Sequence, residues 1–148
     1  MARNVETFTA TAGRDNGKTF IITEMSARAA HKWATRALLC MGGAAGDIPG
    51  LMAKSGVAGL AVVGLKAFMQ GIPVDQAEPL LDELLSCITV NHDPTNPAME
   101  RKLMVDLDVE EVATIFSLQK AAFMLHTRPF TSAIQSTSES EASEAAQN

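Results

Sequence analysis

A Gly-Lys-Thr triplet at residues 17–19 runs straight into Phe20-Ile21-Ile22-Thr23, and this succession constrains the fold more than any other stretch. Residues 12–19, AGRDNGKT, have the spacing of a loose phosphate loop: a small residue, four positions, then Gly-Lys-Thr. Such a loop works when Gly-Lys-Thr opens a helix, whose free N–H groups and dipole hold the phosphates. Here an aromatic and three β-branched residues follow, stiff at χ1 and suited to a pleated surface. Residues 13–17 therefore read as the tip of a β-hairpin. Its strands alternate Phe8 and Ala10 with threonines on one side, and Phe20 and Ile22 with Ile21 and Thr23 on the other. A lone hairpin is marginal in water, so one face must lie on something.

A helix follows. Ser26 is placed to cap it and Gly42-Gly43 to end it. Between them Ala30, Trp33, Ala34, Ala37, Leu38 and Met41 form one apolar stripe opposite Arg28, Lys32 and Arg36. Trp33, the single tryptophan, is expected to pack on Phe8, Phe20 or Ile22. A second helix is expected over 51–70, apolar nearly all round, since Leu60, Val63 and Phe68 do not share a stripe. Asp75 with Glu78 resembles a capping box for a third helix. Leu80, Leu81, Leu84, Leu85 and Ile88 would form its buried face, with Pro79 near its start. Residues 91–97 read as a loop and 102–106 as a short strand. Asp108 with Glu111 reads as another capping box, opening a fourth helix over 109–126 that Arg128-Pro129 ends. Residues 131–148 hold three Glu, no Lys or Arg and no aromatic, a composition that cannot bury a core and reads as a disordered tail. The expected fold is α+β: an N-terminal β-hairpin packed on a mainly helical domain of about four helices, one domain over 1–130.

The net charge of −5 argues against a general nucleic-acid binder, which normally shows a basic face. Cys40 and Cys87 sit among apolar residues and read as buried free thiols. The N-terminal residues lack the apolar core of a signal peptide. The least polar stretch, 51–69, is cut by Lys54 and Lys66, which leaves residues 55–65 as its longest uncharged run. As a helix that run is about 16 Å long, roughly half of a hydrocarbon core. A cytoplasmic protein with no membrane span is the expectation.

No catalytic, cofactor-binding or metal-binding set emerges. His31, His92, His126, Cys40 and Cys87 fall in different expected elements, which disfavours a zinc site. Ser117 and Lys120 match a Ser-x-x-Lys pattern but lack its Ser-Asp-Asn and Lys-Thr-Gly partners. Residues 103–106, Leu-Met-Val-Asp, read as an ordinary strand end once the phosphate loop is discounted. The adjacent carboxylates Asp82 and Glu83, and Glu110 and Glu111, point in different directions on a helix. What remains is an excess of eight Met over seven aromatic residues. Met is flexible and polarizable and suits surfaces that accept varied apolar partners. A groove for an apolar helix is therefore expected, with Leu51, Met52, Leu60, Val63, Phe68, Met69, Phe116, Phe123 and Met124 as its candidate lining.

The N-terminal block also carries a family resemblance, mainly in residues 6–41. An aromatic strand, Gly-Arg-Asp-x-Gly-Lys, a Phe-Ile-Ile-Thr-Glu-Met strand and a helix with Lys-Trp-Ala-x-Arg-Ala-Leu-Leu resemble the tail assembly chaperones of long-tailed bacteriophages. The resemblance implies a protein that binds the long, apolar, helical tape measure protein in the host cytoplasm before tail tube protein polymerises around it. It also implies absence from the finished particle, no cofactor, and contact with tail tube protein or with further copies of the chain. Two other readings stand beside it: a structural tail protein of the virion, and a small nucleotide-binding enzyme using residues 12–19.

Overall fold

β2, Thr19–Thr23, is the strand around which the sheet is ordered. In the computed structural model, which describes residues 2–45, 72–93 and 95–145, it lies between β1, Val5–Thr9, and β3, Ile88–Val90. A two-residue β4, Arg101–Lys102, completes an antiparallel sheet of order β1-β2-β3-β4. The described helices are α1, Ala27–Ala45; α2, Val74–Leu85; the short α3, Val105–Asp108; and α4, Val112–Ala145. The protein is thus α+β, with the N-terminal hairpin in place.

The chain divides into two compact units. One holds Met1–Trp33 and Glu78–His126, and the other Ala34–Ala77 and Thr127–Asn148. All four strands belong to the first.

Within that unit the register puts Phe8 opposite Phe20, Glu6 opposite Ile22, and both β2 residues opposite Val90 and Ile88. Side chains directly opposite share a face, so Phe20, Ile22, Ile88 and Val90 line one side of the sheet. Each is at most 1% exposed. The helices contribute Trp33, Leu80, Leu84, Leu85, Leu118, Ala122 and Leu125 to the same buried set. The spacing of 118, 122 and 125 makes one inward stripe on α4. Trp33 is held more closely than apolar packing alone requires. Its indole N–H donates to the Leu80 carbonyl at 3.0 Å, and its ring meets Phe123 edge-on at 5.9 Å. Its aromatic partner is therefore Phe123 on α4 rather than Phe8 or Phe20, which pair with each other at 6.3 Å.

Several boundaries differ from the sequence reading. Ile88, read as the last apolar position of a helix, is the first residue of β3. Helix α2 stops at Leu85, and the β-branched run Ile88-Thr89-Val90 prefers a pleated surface. Asp75 lies inside the first turn of α2, and the Pro73 carbonyl accepts the first helical N–H groups, from Gln76 and Ala77. Residues 102–106 are not one strand: β4 ends at Lys102, the last bond to β3 is from Leu103 N–H to the Ile88 carbonyl, and Val105 begins α3. Ser26 caps α1 as expected, its hydroxyl accepting from Ala29 N–H at 3.3 Å, but the helix continues past Gly42-Gly43 to Ala45. The backbone of α4 is helical through Pro129 to Ala145, where the sequence placed a stop and then a disordered tail. Ala, Glu and Gln in that stretch are good helix formers, and helical bonds are local, so helix needs no core there. The expected helix over 51–70 lies outside the described residues. Cys40 and Cys87 are free thiols, each half-buried rather than fully so.

Replacing Trp33 by Ala removes a buried ring, its edge contact and a hydrogen bond. The expected loss is about 3–5 kcal/mol, measured by urea unfolding with Trp33→Phe as the milder control.

Candidate functional site

Residues 10–18 form the turn of the hairpin, and their geometry decides what the Gly-Lys-Thr stretch does. The ladder runs on past β1 and β2, with Ala10 N–H donating to the Lys18 carbonyl and Gly17 N–H to the Ala10 carbonyl. Gly13–Asp15 then makes a single 3-10 turn. Gly13 and Gly17 have φ of +69° and +85°, the left-handed region where a Cβ is strained. At Gly13 an added Cβ would also lie 3.1 Å from Cγ of Glu111, so this glycine permits a close approach as well as a turn.

That approach brings the loop to the start of α4. Asp15 is fully buried. Its carboxylate accepts from Glu110 N–H at 2.9 Å and from Glu111 N–H at 2.9 Å, and its third strong contact is Lys18 Nζ at 2.7 Å. The Thr114 hydroxyl also bonds it. The Glu111 carbonyl accepts the first helical N–H groups, so Asp15 sits beneath the entry to the helix. Negative charge is favoured there by the helix dipole. Burial pushes the Asp15 carboxyl up. The bonds from Lys18, Glu110 N–H, Thr114 and Glu111 N–H outweigh it and hold the group well below the usual carboxylate range.

Lys18 is engaged in full. Besides Asp15, its ammonium reaches the Asp108 carbonyl at 3.1 Å and Glu110 Oε1 at 3.2 Å. Arg14 pairs with Glu111 Oε1 at 3.0 Å and donates to the Glu110 carbonyl. Thr19 opens a strand, as the sequence indicated, so no helix N terminus follows the lysine.

Asp108 anchors a second cluster. Its role differs from the helix cap read from the sequence, because α4 begins only at Val112 and Asp108 ends α3. It is 2% exposed and takes both guanidinium nitrogens of Arg101, at 2.6 and 2.8 Å, together with Met104 N–H at 2.8 Å. His92 lies 3.3 Å away, half-exposed. The Arg101 bonds lower the Asp108 carboxyl more than burial raises it. Fork-to-fork geometry of this kind fixes the β4–α3 corner. Of the other histidines, His31 is exposed on α1. His126 is buried, accepting from Met25 N–H at 2.8 Å through Nε2 and lying 2.7 Å from the Ala122 carbonyl through Nδ1. Among the described residues no three His, Cys, Asp or Glu side chains converge as metal ligands, and no buried side-chain N or O lacks a hydrogen bond.

The apolar candidates divide. Leu51, Met52, Leu60, Val63, Phe68 and Met69 lie outside the described residues. Phe116 and Met124, two turns apart on α4, are 54% and 52% exposed, whereas Phe123 turns its ring to Trp33. Val112, 67% exposed, adds to the same helix surface, and Leu107 on α3 is exposed as well. The anchoring role of Asp15 escaped the sequence reading because Glu110 and Glu111 lie 95 and 96 residues further along the chain, its one local signal being an Asp between two glycines in a turn. Asp108 was read as a helix cap and not as the partner of Arg101.

Comparison with family models, with curated proteins and with solved structures gives no match to this chain. Among the described residues no helix is long and apolar enough to cross a membrane.

The depressed carboxyls set a pH window. Folded Asp15 and Asp108 release their protons at lower pH than an unfolded Asp, near about 3.9. The unfolded chain therefore binds more protons in that range, and stability falls as pH drops through about 4 and below. In urea melts the midpoint should hold level above about pH 5 and fall steeply beneath about pH 4. Asp15→Asn should cost about 2–3 kcal/mol at pH 7 and show a shallower acid slope. An unchanged slope would show that the Asp15 carboxylate does not carry this linkage.

Proposed function

We propose that this protein is an assembly chaperone of the kind made by long-tailed bacteriophages. In this reading it holds the apolar, helical tape measure protein in the host cytoplasm until the tail tube forms, is left out of the finished virion, and catalyses no reaction. The observation that carries the proposal is the surface of α4. Val112, Phe116 and Met124 keep more than half of their area in water, on a helix whose opposite stripe is fully buried. Isolated exposed apolar residues are ordinary, but a row of them along one helix marks a docking surface. A partner helix laying its apolar face there would gain about 25 cal/mol for each Å² removed from water.

The loop argues in the same direction. Lys18, the residue a nucleotide would need, is tied to Asp15, the Asp108 carbonyl and Glu110, and the chain after it is a strand. A phosphate placed there would meet the carboxylates of Asp15 and Glu110, and the N–H groups at the start of α4 are already taken by Asp15. The acidic balance of the chain, net −5, would keep chaperone copies apart while each holds its client.

Co-expression with a tape measure protein encoded beside this chain should raise that protein's soluble yield severalfold and bring the two down together on an affinity tag. Unchanged yield without co-purification would contradict the proposal, as would recovery of this chain as a stoichiometric component of purified particles.

A further inference from the structure

Val112, Phe116 and Lys120 follow one another along α4 at four-residue intervals, and all three side chains are exposed. That spacing sets them in one row on the helix surface, which Met124 continues. Lys120 is the single charge in the row and makes no hydrogen bond or ion pair among the described residues. At the N-terminal end of the row Lys18 meets Asp15 and Glu110 and Arg14 meets Glu111, so two cations face three carboxylates and no positive charge is left over there. In a chain of net charge −5, this strip therefore presents one uncompensated cation set among apolar groups.

Beside the row lies an open cavity of about 240 Å³ between the hairpin turn and α4, with Phe8, Ala10, Ala113 and Ser117 in its walls beside Thr114 and the Arg14-paired Glu111. A cavity of about 150 Å³ already admits benzene, so this hollow has room for one large apolar side chain. The row and the hollow thus differ in what they ask of a partner: apolar cover along Val112 and Phe116, an inserted anchor at the hollow, and an answer to the ammonium of Lys120.

A helix that is apolar all along would bury that ammonium without a partner, at a cost that cancels much of the gain from apolar contact. A carboxylate opposite Lys120 removes the cost and fixes the register of the docked helix. We infer that this face of α4 takes one amphipathic helix whose apolar stripe is interrupted by a single carboxylate facing Lys120, with one apolar side chain anchored in the adjoining hollow. The inference rests on the chaperone reading and names the kind of client segment that reading requires.

The test uses the full chain and two fluorescein-labelled peptides of about 18 residues, enough for five helical turns. Both carry a Leu stripe on an Ala and Gln background and differ only in a central stripe residue, Glu in one and Lys in the other. Fluorescence anisotropy should give the Glu peptide about tenfold tighter binding. Lys120→Glu should reverse the preference, and Phe116→Asp should weaken both peptides by more than about tenfold. Both substitutions are at exposed positions, and an unchanged urea midpoint confirms that the fold survives. Equal binding of the two peptides, or a Glu preference that persists in Lys120→Glu, overturns the inference. Co-expression separates the two claims. Failure of the unmodified chain to raise tape measure solubility overturns the chaperone reading, whereas equal success of the unmodified chain and both variants overturns the docking face alone.

Discussion

One buried carboxylate joins the two ends of this fold. Asp15, in the turn of the N-terminal hairpin, closes the backbone N–H groups of Glu110 and Glu111 where the last helix begins. Helix starts leave orphan donors that need partners, and an acidic group there also meets the favourable end of the helix dipole. Here the acceptor comes from a loop 95 residues earlier in the chain instead of from the preceding turn. Gly13 makes the approach possible, because any side chain at that point would press on Glu111. Lys18 then neutralises the carboxylate, so burial of Asp15 leaves no unpaired charge. A hairpin too small to be stable alone is in this way tied to the helix that supplies Leu118, Ala122 and Leu125 to the core.

The same contact explains why a Gly-Lys-Thr stretch does not make a phosphate site. In a phosphate loop the lysine and the helix N terminus converge on an empty place that an anion fills. Here Lys18 and the N terminus of α4 also converge, but the anion is Asp15 of the same chain. The motif's chemistry is recognisable, with a cation and backbone donors around a negative group, and it serves to hold the fold together. The outer side of α4 is left to solvent: Val112 and Phe116 face water there, and Lys120 stands without a counter-charge among the described residues.

What was legible in the sequence was local. The β-branched run after Lys18 and the Ser26 cap depend on neighbours a few residues away, and each appears where its pattern indicates. The inward stripe of Leu118, Ala122 and Leu125 was not read from the sequence. The central strand β3 was hidden because Ile88 also continues the four-residue spacing of Leu80 and Leu84, and only three residues long, it left little pattern of its own. Asp108 looked like a helix cap because Glu111 follows at the right distance. Its true partner, Arg101, lies on the other side in the chain, and that preference for a bidentate cation is visible only once β4 is placed. Of the candidate surface, Phe116, Phe123 and Met124 were legible only as apolar positions of one helix. That Phe116 and Met124 face water while Phe123 meets Trp33 depends on contacts between residues far apart in sequence.

Amide hydrogen exchange at Glu110 and Glu111 tests the Asp15 joint most directly. Both residues precede α4, and Asp15 supplies the acceptor for each of these N–H groups. The account predicts that at neutral pH both amides exchange about as slowly as those of β2, and that Asp15→Asn speeds them while β2 stays protected. Fast exchange at both positions in the unaltered chain, with the β2 amides still protected, would contradict it.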